Sequence, residues 1–532
     1  MIDGITRITR SAAAVLAVAT VVVIVLIVCN AAEFRSVELQ RLREPTLILW
    51  TCALTAILLR REPGVAWTRM TSRLETWLGS SGGFKVVVLV GGVLIVVSSL
   101  THHLAFNTYS LDLGLYQEAL ARAWEDPPLA STILGSSLLA EHFSPVLFPI
   151  AIVYQVMPSP LTLVVLNALL LWVAVFPLEA VGRELALPAS VKNLVCLIYL
   201  FSPAVARSAG FPFHHEVLFP VVLFGLYLAF LRDHRISGAL LVLAAVAIKE
   251  DSGLYLLGMG IFFGLQYRRW RWGAAVAIAG CLSTVIAVAW VLPHFAPGAA
   301  VFGPHGSWGP WFDPLDSTPA VRAMVSAFLT EDVLTVIAAT LLVPLRGRWT
   351  WTVVAIPFLL NLTSSDPFQA QFARFYGLPL TATAAIAGLA ALTEQPYARS
   401  RGLKIAAAAV IINIAAFTYP SIPKCRGDVV AELDRIDPAA NVIMSASFDP
   451  LLQHVEHREL VVAGQRPKAD VVVVRTGRHT WPLDKNQAAE LVTWLESRPA
   501  FEERLRCDDF AIFERRPAKR KGGDRTPGSS TP

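Results

Sequence analysis

The chain has 532 residues and a formal net charge of +5, with 55% of its residues hydrophobic and 16% charged. A soluble protein would carry about 25% charged residues, so a wholly water-soluble globule is excluded. The Arg and Lys residues gather in short loops and form no run that reads as a nucleic-acid footprint, so no nucleic-acid partner is expected.

Repeated apolar segments near 20 residues predict a polytopic α-helical membrane protein. Thirteen spans are placed at 11–32, 45–59, 84–104, 160–182, 189–208, 217–231, 236–249, 252–267, 273–292, 331–345, 350–363, 375–393 and 403–419. Arg7 and Arg10 precede the first span. It is too long for a usual signal-peptide core and lacks a small-x-small exit, so it reads as a retained helix. With the N-terminus cytoplasmic, the basic clusters at Arg60–Arg73, Arg183, Arg232–Arg235, Arg268–Arg271, Arg346–Arg348 and Arg399–Lys404 all face the cytoplasm of a plasma-membrane protein. Loop 33–44 is the exception, with Arg35, Arg41 and Arg43 outside, partly offset by Glu33, Glu38 and Glu44. Segment 143–157 is apolar, yet a span there would invert every later loop. It reads as a re-entrant or surface-lying helix on the outer side. The alternative is a true span, with twelve or fourteen in all.

Under this topology five polar loops share the outer face. Loop 105–142 carries Asp112 in a stretch with helical apolar spacing, read as a helix along the membrane surface, and ends in Glu141-His142. Then come His214-His215-Glu216, Lys249-Glu250-Asp251, the Gly-, Pro- and Trp-rich 293–330, and 364–374 ending in Arg374. An intramembrane charge costs several kcal/mol unless it is paired or lines a wet cavity. The triplet Lys249-Glu250-Asp251, between two short apolar runs, is therefore the feature around which the rest is read.

Residues 420–515 read as a small extracytoplasmic α/β domain, with buried strands at 441–446 and 470–475, a helix at 487–497 and a last strand at 510–513. It has no Gly-rich phosphate loop. Cys425 and Cys507 flank it, and outside the cytoplasm a disulfide closing it is plausible. The four domains expected are thus N-terminal helices 1–83, a membrane core 84–419, the α/β domain 420–515 and a disordered basic tail 516–532.

Asp112 could be a general base for an acceptor hydroxyl, or a cap on the surface helix. His142 and the 214–215 pair could be proton carriers, ligands or interface polar residues. Vicinal histidines point apart on a helix, so at most one of His214 and His215 is expected to face a given site. Lys249 could bind a phosphate as a point charge. Glu250 and Asp251 could hold a divalent cation or pair with Lys249. Arg374 could clamp a second phosphate oxygen or snorkel. Glu216 and Asp251 are the candidate metal ligands; no spaced His or Cys motif specifies zinc.

The ordered series Leu111-Asp112-Leu113-Gly114-Leu115-Tyr116-Gln117-Glu118-Ala119, Glu141-His142-Phe143-Ser144-Pro145, Phe213-His214-His215-Glu216 and Lys249-Glu250-Asp251-Ser252-Gly253 resembles domain-of-unknown-function family 2079 of polytopic membrane proteins. The stretches 441–446, 454–458 and 470–474 are similar to that family's C-terminal pattern, so the resemblance covers about 105–480. The layout also resembles the glycosyltransferase C-fold, whose enzymes move sugars from polyprenyl-phosphate carriers and place an acidic residue in the first large outer loop. That resemblance implies a polyprenyl-phosphate-linked sugar donor and a glycan or protein acceptor. It implies Asp112 as base, and Lys249 with Arg374 on the lipid phosphate. Glu216, Glu250 and Asp251 would orient sugar or a cation, with Glu141, His142, His214 and His215 in support. The alternatives are a transporter or flippase, and a non-catalytic envelope scaffold.

Overall fold

The computed structural model describes residues 72–295 except 74, 347–394 except 365–368 and 370–373, and 417–516 except 418, 465–466, 478–479 and 508. The spans expected at 11–32, 45–59 and 331–345, all of the span expected at 403–419 but residues 417 and 419, most of loop 293–330 and the tail from residue 517 lie outside the described residues. The chain forms two compact units. One runs to His103 and from Tyr116 to Pro420; the other joins Leu104–Leu115 to the residues from Ser421 onward.

The first unit is helical. Its helices are α1 (Ser81–Leu104), α2 (Leu115–Ala121, entered from the other unit), α3 (Leu147–Val156), α4 (Pro160–Val173), α5 (Val175–Glu184), α6 (Ala189–Leu200) and α7 (Pro203–Ala209). They continue with α8 (Phe219–Leu231), α9 (Arg235–Val246), α10 (Ser252–Tyr267), α11 (Trp270–Ile286, running through a π turn to Phe295), α12 (Trp351–Leu362) and α13 (Leu378–Glu394). A short antiparallel ladder, β1 (Ala130–Ser131) with β2 (Ser136–Ser137), lies between α2 and α3.

Four helical stretches among the described residues are long and apolar enough to cross a membrane: Ser81–Leu104, Pro160–Glu184, Trp270–Phe295 and Phe375–Glu394. Their apolar residues do not all turn inward. On α1, Val86, Leu89, Val90, Val93 and Val97 are exposed at helical spacing, and on α11 Ile278, Leu282 and Val285 are too. Lipid suits such stripes and water does not.

Two expected spans depart from the prediction. The helix expected at 189–208 is broken into α6 and α7, bent by 45°. Pro203 cannot donate the backbone hydrogen bond that would continue α6, and Ser202 Oγ instead caps the new helix by accepting from Val205 N at 3.3 Å. The helix expected at 236–249 ends at Val246, which leaves Lys249 outside it. In contrast, α10 has the bounds expected of it, 252–267. The 143–157 segment yields a ten-residue helix, α3. At 1.5 Å per residue it measures about 15 Å, half the ~30 Å of a bilayer core.

Helices α10 and α11 pack through glycine. A Cβ at Gly253 would run into the Gly280 carbonyl, and one at Gly260 into the Gly273 carbonyl. Small residues at these points let the two backbones approach, as in other membrane helix pairs.

The second unit carries a five-stranded sheet in the order β4 (His457–Leu460), β3 (Asn441–Met444), β5 (Val471–Arg475), β7 (Phe510–Arg515), β6 (Phe501–Cys507). The β4–β3–β5 part is parallel, and β5–β7–β6 is antiparallel. The run Val471-Val472-Val473-Val474 is apolar throughout because both faces of β5 are covered. Val471 and Val473 join Phe106, Val429, Leu433 and Phe510 on one side. Val472 and Val474 join Ala488, Val492 and Leu495 on the other. Helix α14 (Arg426–Leu433) covers the first face, and α15 (Lys485–Glu496) the second. A capping box between Asp484 and Gln487 starts α15. Cys425 and Cys507 form a disulfide.

Candidate functional site

The first unit gathers one buried polar network from five segments. Tyr116 comes from α2. His142 and Ser144 come from the stretch before α3, and His214 to Glu216 from the entry to α8. Lys249 to Asp251 come from the break between α9 and α10, and Tyr376 from the 3-10 turn Arg374–Gly377.

His214 has extended backbone angles (φ −141°, ψ 143°), and His215 opens a 3-10 turn. The pair is therefore not helical, and the expectation that only one of the two faces a site is corrected. The Tyr116 hydroxyl meets both rings, at 2.7 Å from His215 Nδ1 and 3.3 Å from His214 Nδ1. Ser144 Oγ lies 3.3 Å from His215 Nε2. His214 stacks on Phe375 with ring centroids 3.7 Å apart.

Glu216 is held on both oxygens. Oε2 contacts His214 Nδ1, and Oε1 accepts from Lys249 Nζ at 2.9 Å. The Lys249 ammonium also lies over the Tyr376 ring, 5.2 Å from its centroid. Glu250 faces the other way. Its oxygens take His142 Nδ1 at 3.2 Å and the Phe143 amide at 3.0 Å. Asp251 Oδ2 accepts from the Tyr255 hydroxyl at 3.0 Å, while Oδ1 is buried without a hydrogen bond.

Lys249, Glu250 and Asp251 are all buried, so the break after α9 puts three charges inside an apolar helical unit. Three carboxylates, Glu216, Glu250 and Asp251, stand against one ammonium. A proton on His142 would restore part of the balance. Burial pulls His142 down, but the charge of Glu250 and its hydrogen bond outweigh this, and the net shift is upward.

His214, His215 and Glu216 present possible ligand atoms within 4.8 Å of one another. Their donor atoms are already engaged. Both nitrogens of His215 have hydroxyl partners, and both oxygens of Glu216 have cationic or imidazole partners. A divalent cation on Glu216 would have to displace Lys249. Asp251 stands outside that group of three and keeps one unbonded oxygen.

The remaining expected residues fall elsewhere. Glu141 is exposed beside the network and closes a 3-10 turn through its amide, which donates to the Leu138 carbonyl at 3.1 Å. The Arg374 side chain lies outside the described residues. Asp112 belongs to the second unit, in the π turn Ser110–Gly114. The Asp112 and Gly114 amides donate to the Tyr109 carbonyl at 3.3 and 3.1 Å.

Four residues of the network carried no assigned role in the sequence reading: Tyr116, Ser144, Tyr255 and Tyr376. Tyr116 stands one helical turn after Asp112, and Tyr255 one turn after Asp251. An aromatic hydroxyl at i+4 from a charge is the sequence signal that marks these two, and it does not reach Ser144 or Tyr376.

A search of curated proteins finds no match to this chain. Residues 102–441 match the family described as "Predicted membrane protein (DUF2079)". That stretch takes in His142, His214 to Glu216 and Lys249 to Asp251, together with the Asp112 turn. With well over half its length matched, the chain belongs to this family of membrane proteins.

Proposed function

We propose that the chain is a glycosyltransferase-like membrane protein that moves a sugar from a polyprenyl-phosphate donor to an extracytoplasmic acceptor. One observation carries the reading most: a buried network of carboxylates, imidazoles and one ammonium, drawn from five segments of an apolar helical unit. Burying so many ionisable groups is costly for a scaffold and useful for a polar substrate entering from the bilayer. Asp112 acts as the base on the acceptor hydroxyl. Lys249 meets the donor phosphate by exchanging Glu216 for it, with Arg374 as a second cation. Glu250 and Asp251 orient the sugar, and the unbonded Asp251 Oδ1 is an open acceptor for a hydroxyl or a divalent cation. His142, His214 and His215 hold this array, with Glu141 at its rim. The Cys425–Cys507 disulfide supports an extracytoplasmic second unit, since such bonds persist in oxidising compartments.

A second reading, a transporter or flippase, draws on the 45° break between α6 and α7 and on the irregular 247–251 stretch. Discontinuous helices beside buried charges are what secondary transporters use.

The test is sugar transfer in membranes holding wild type or Asp112→Asn, with a panel of polyprenyl-phosphate sugars. Product with wild type alone supports the enzyme and the base. Flux of the lipid-linked substrate into liposomes, without covalent product, favours transport instead.

A further inference from the structure

The stretch Leu104–Leu115 leaves α1 and returns to α2, yet it folds with residues more than 300 positions away. Phe106 is 1% exposed and sits in the core of the sheet unit, its ring 5.1 Å from that of Phe510 and 5.8 Å from that of Phe448. It does so with φ at +56°, a conformation a bulky side chain adopts only when its surroundings impose it.

Arginines hold the backbone around it. Arg475, at the end of β5 and 6% exposed, donates from Nη1 to the Phe106 carbonyl at 2.7 Å and to Asn107 Oδ1 at 3.2 Å. Its Nη2 donates to the Ala105 carbonyl at 3.4 Å. Arg426, at the start of α14, donates to the Leu104 carbonyl at 3.2 Å, and its guanidinium lies 4.8 Å from the Phe106 ring centroid. Further along, Gly114 abuts the buried Asp449 carboxylate so closely that a Cβ there would strike it.

We infer that Arg475 is a positioning residue for Asp112: through its guanidinium fork the sheet unit holds the 104–115 strap, and with it the proposed base. The fork satisfies three acceptors on three consecutive residues, 105 to 107, which a lysine ammonium cannot match in one geometry. The sheet unit is thereby joined to the rest of the chain at three crossings, before Leu104, after Leu115 and before Ser421. Anything that shifts β5 or its neighbours shifts the turn that carries Asp112. The importance of Asp112 rests on the functional reading above; the hold on its segment does not.

Hydrogen exchange of the full-length protein in detergent tests this. In Arg475→Ala, amides of 105–114 are expected to exchange at least tenfold faster, while strands 471–474 and 510–515 stay protected. Arg475→Lys should behave like the alanine variant, because charge without the fork is not enough. Unchanged exchange at 105–114 in Arg475→Ala overturns the inference. Should the sheet itself lose protection, Asn107→Ala decides, since it removes one acceptor on the strap and nothing from the sheet. Faster exchange confined to the strap in that variant supports the inference, and wild-type exchange there overturns it. In the transfer assay, a loosened strap with undiminished product would leave the hold intact and reject Asp112 as the base, so the two failures are distinguishable.

Discussion

The Lys249 ammonium lies 2.9 Å from Glu216 Oε1, with the two side chains 6% and 3% exposed. At this burial neither charge is solvated; Glu216 is the carboxylate that meets the Lys249 ammonium, while Glu216 itself is shared between Lys249 and His214. Removing one partner of such a pair strands the other, at a cost of about 3–5 kcal/mol, whereas replacing both with neutral groups of similar shape is often close to neutral. Lys249→Ala is therefore expected to lower the melting temperature sharply in detergent. Lys249→Met combined with Glu216→Gln should recover most of the loss. Thermal melts by size-exclusion fluorescence report both. A Lys249→Ala protein melting like wild type would mean that Glu216 is compensated by other groups.

The Cys425–Cys507 bridge spans 82 positions of sequence. In the chain-entropy picture a loop of this length stabilises by roughly 4–5 kcal/mol through restriction of the unfolded chain. Cys425→Ser with Cys507→Ser should destabilise the sheet unit by an amount of that order. In the native protein, maleimide should not label either residue until a reductant is added, whereas Cys281, half-buried and free, labels under mild denaturation. Labelling of Cys425 without reductant would remove the bridge and the support it lends to an oxidising location.

How much of this was legible beforehand depends on the range of the interactions that decide it. Helix α10 was readable to the residue because its apolar run is bounded by Asp251 and Arg268, both local signals. Strand β5 was readable because four consecutive valines have few other uses. Strand β6, Phe501-Glu502-Glu503-Arg504-Leu505-Arg506-Cys507, was missed: it is an edge strand with most of its residues exposed, so it has no apolar run to announce it. The Lys249-Glu250-Asp251 break was found from the cost of charge in an apolar setting, but not its pairing, since Glu216 is 33 positions away. The shared orientation of His214 and His215 follows from one residue's extended backbone, which no periodicity reports. Least legible was the strap 104–115. The helical spacing read over 109–120 is met by the π turn Ser110–Gly114 and α2, but the hold on the residues before it was not readable, since Arg475 stands 369 positions from Phe106.

His142 provides a pH signature. Its imidazole bonds Glu250 at 3.2 Å, and Lys249 and Glu216 are the other charges that act on it. Its protonation range in the folded protein is raised. A raised histidine contributes stability that is fully present below its ordinary range and is lost as pH rises through the folded value. Melting temperature should therefore fall as pH climbs past the usual histidine range, and His142→Gln should flatten that part of the profile by losing the extra stability on the acid side. If His142→Gln keeps the wild-type slope, another group is responsible for it.

Gly114 tests the strap from its far end. A methyl there would meet the Asp449 carboxylate, and Asp449 is not free to yield: it is 1% exposed and accepts from Arg458 Nε at 2.8 Å. Gly114→Ala should thus push the π turn away from the 3-10 turn Ala446–Leu451 at a cost of about 1–3 kcal/mol, the range for overpacking a filled site. Asp449→Ala alone is also destabilising, because Arg458 loses its buried partner. The two changes should not add. With the carboxylate gone the new methyl has space, so the double variant should melt close to Asp449→Ala alone. Residues in contact show such coupling, and independent ones do not. Strict additivity of the two melting shifts would mean that Gly114 and Asp449 do not touch in the working protein.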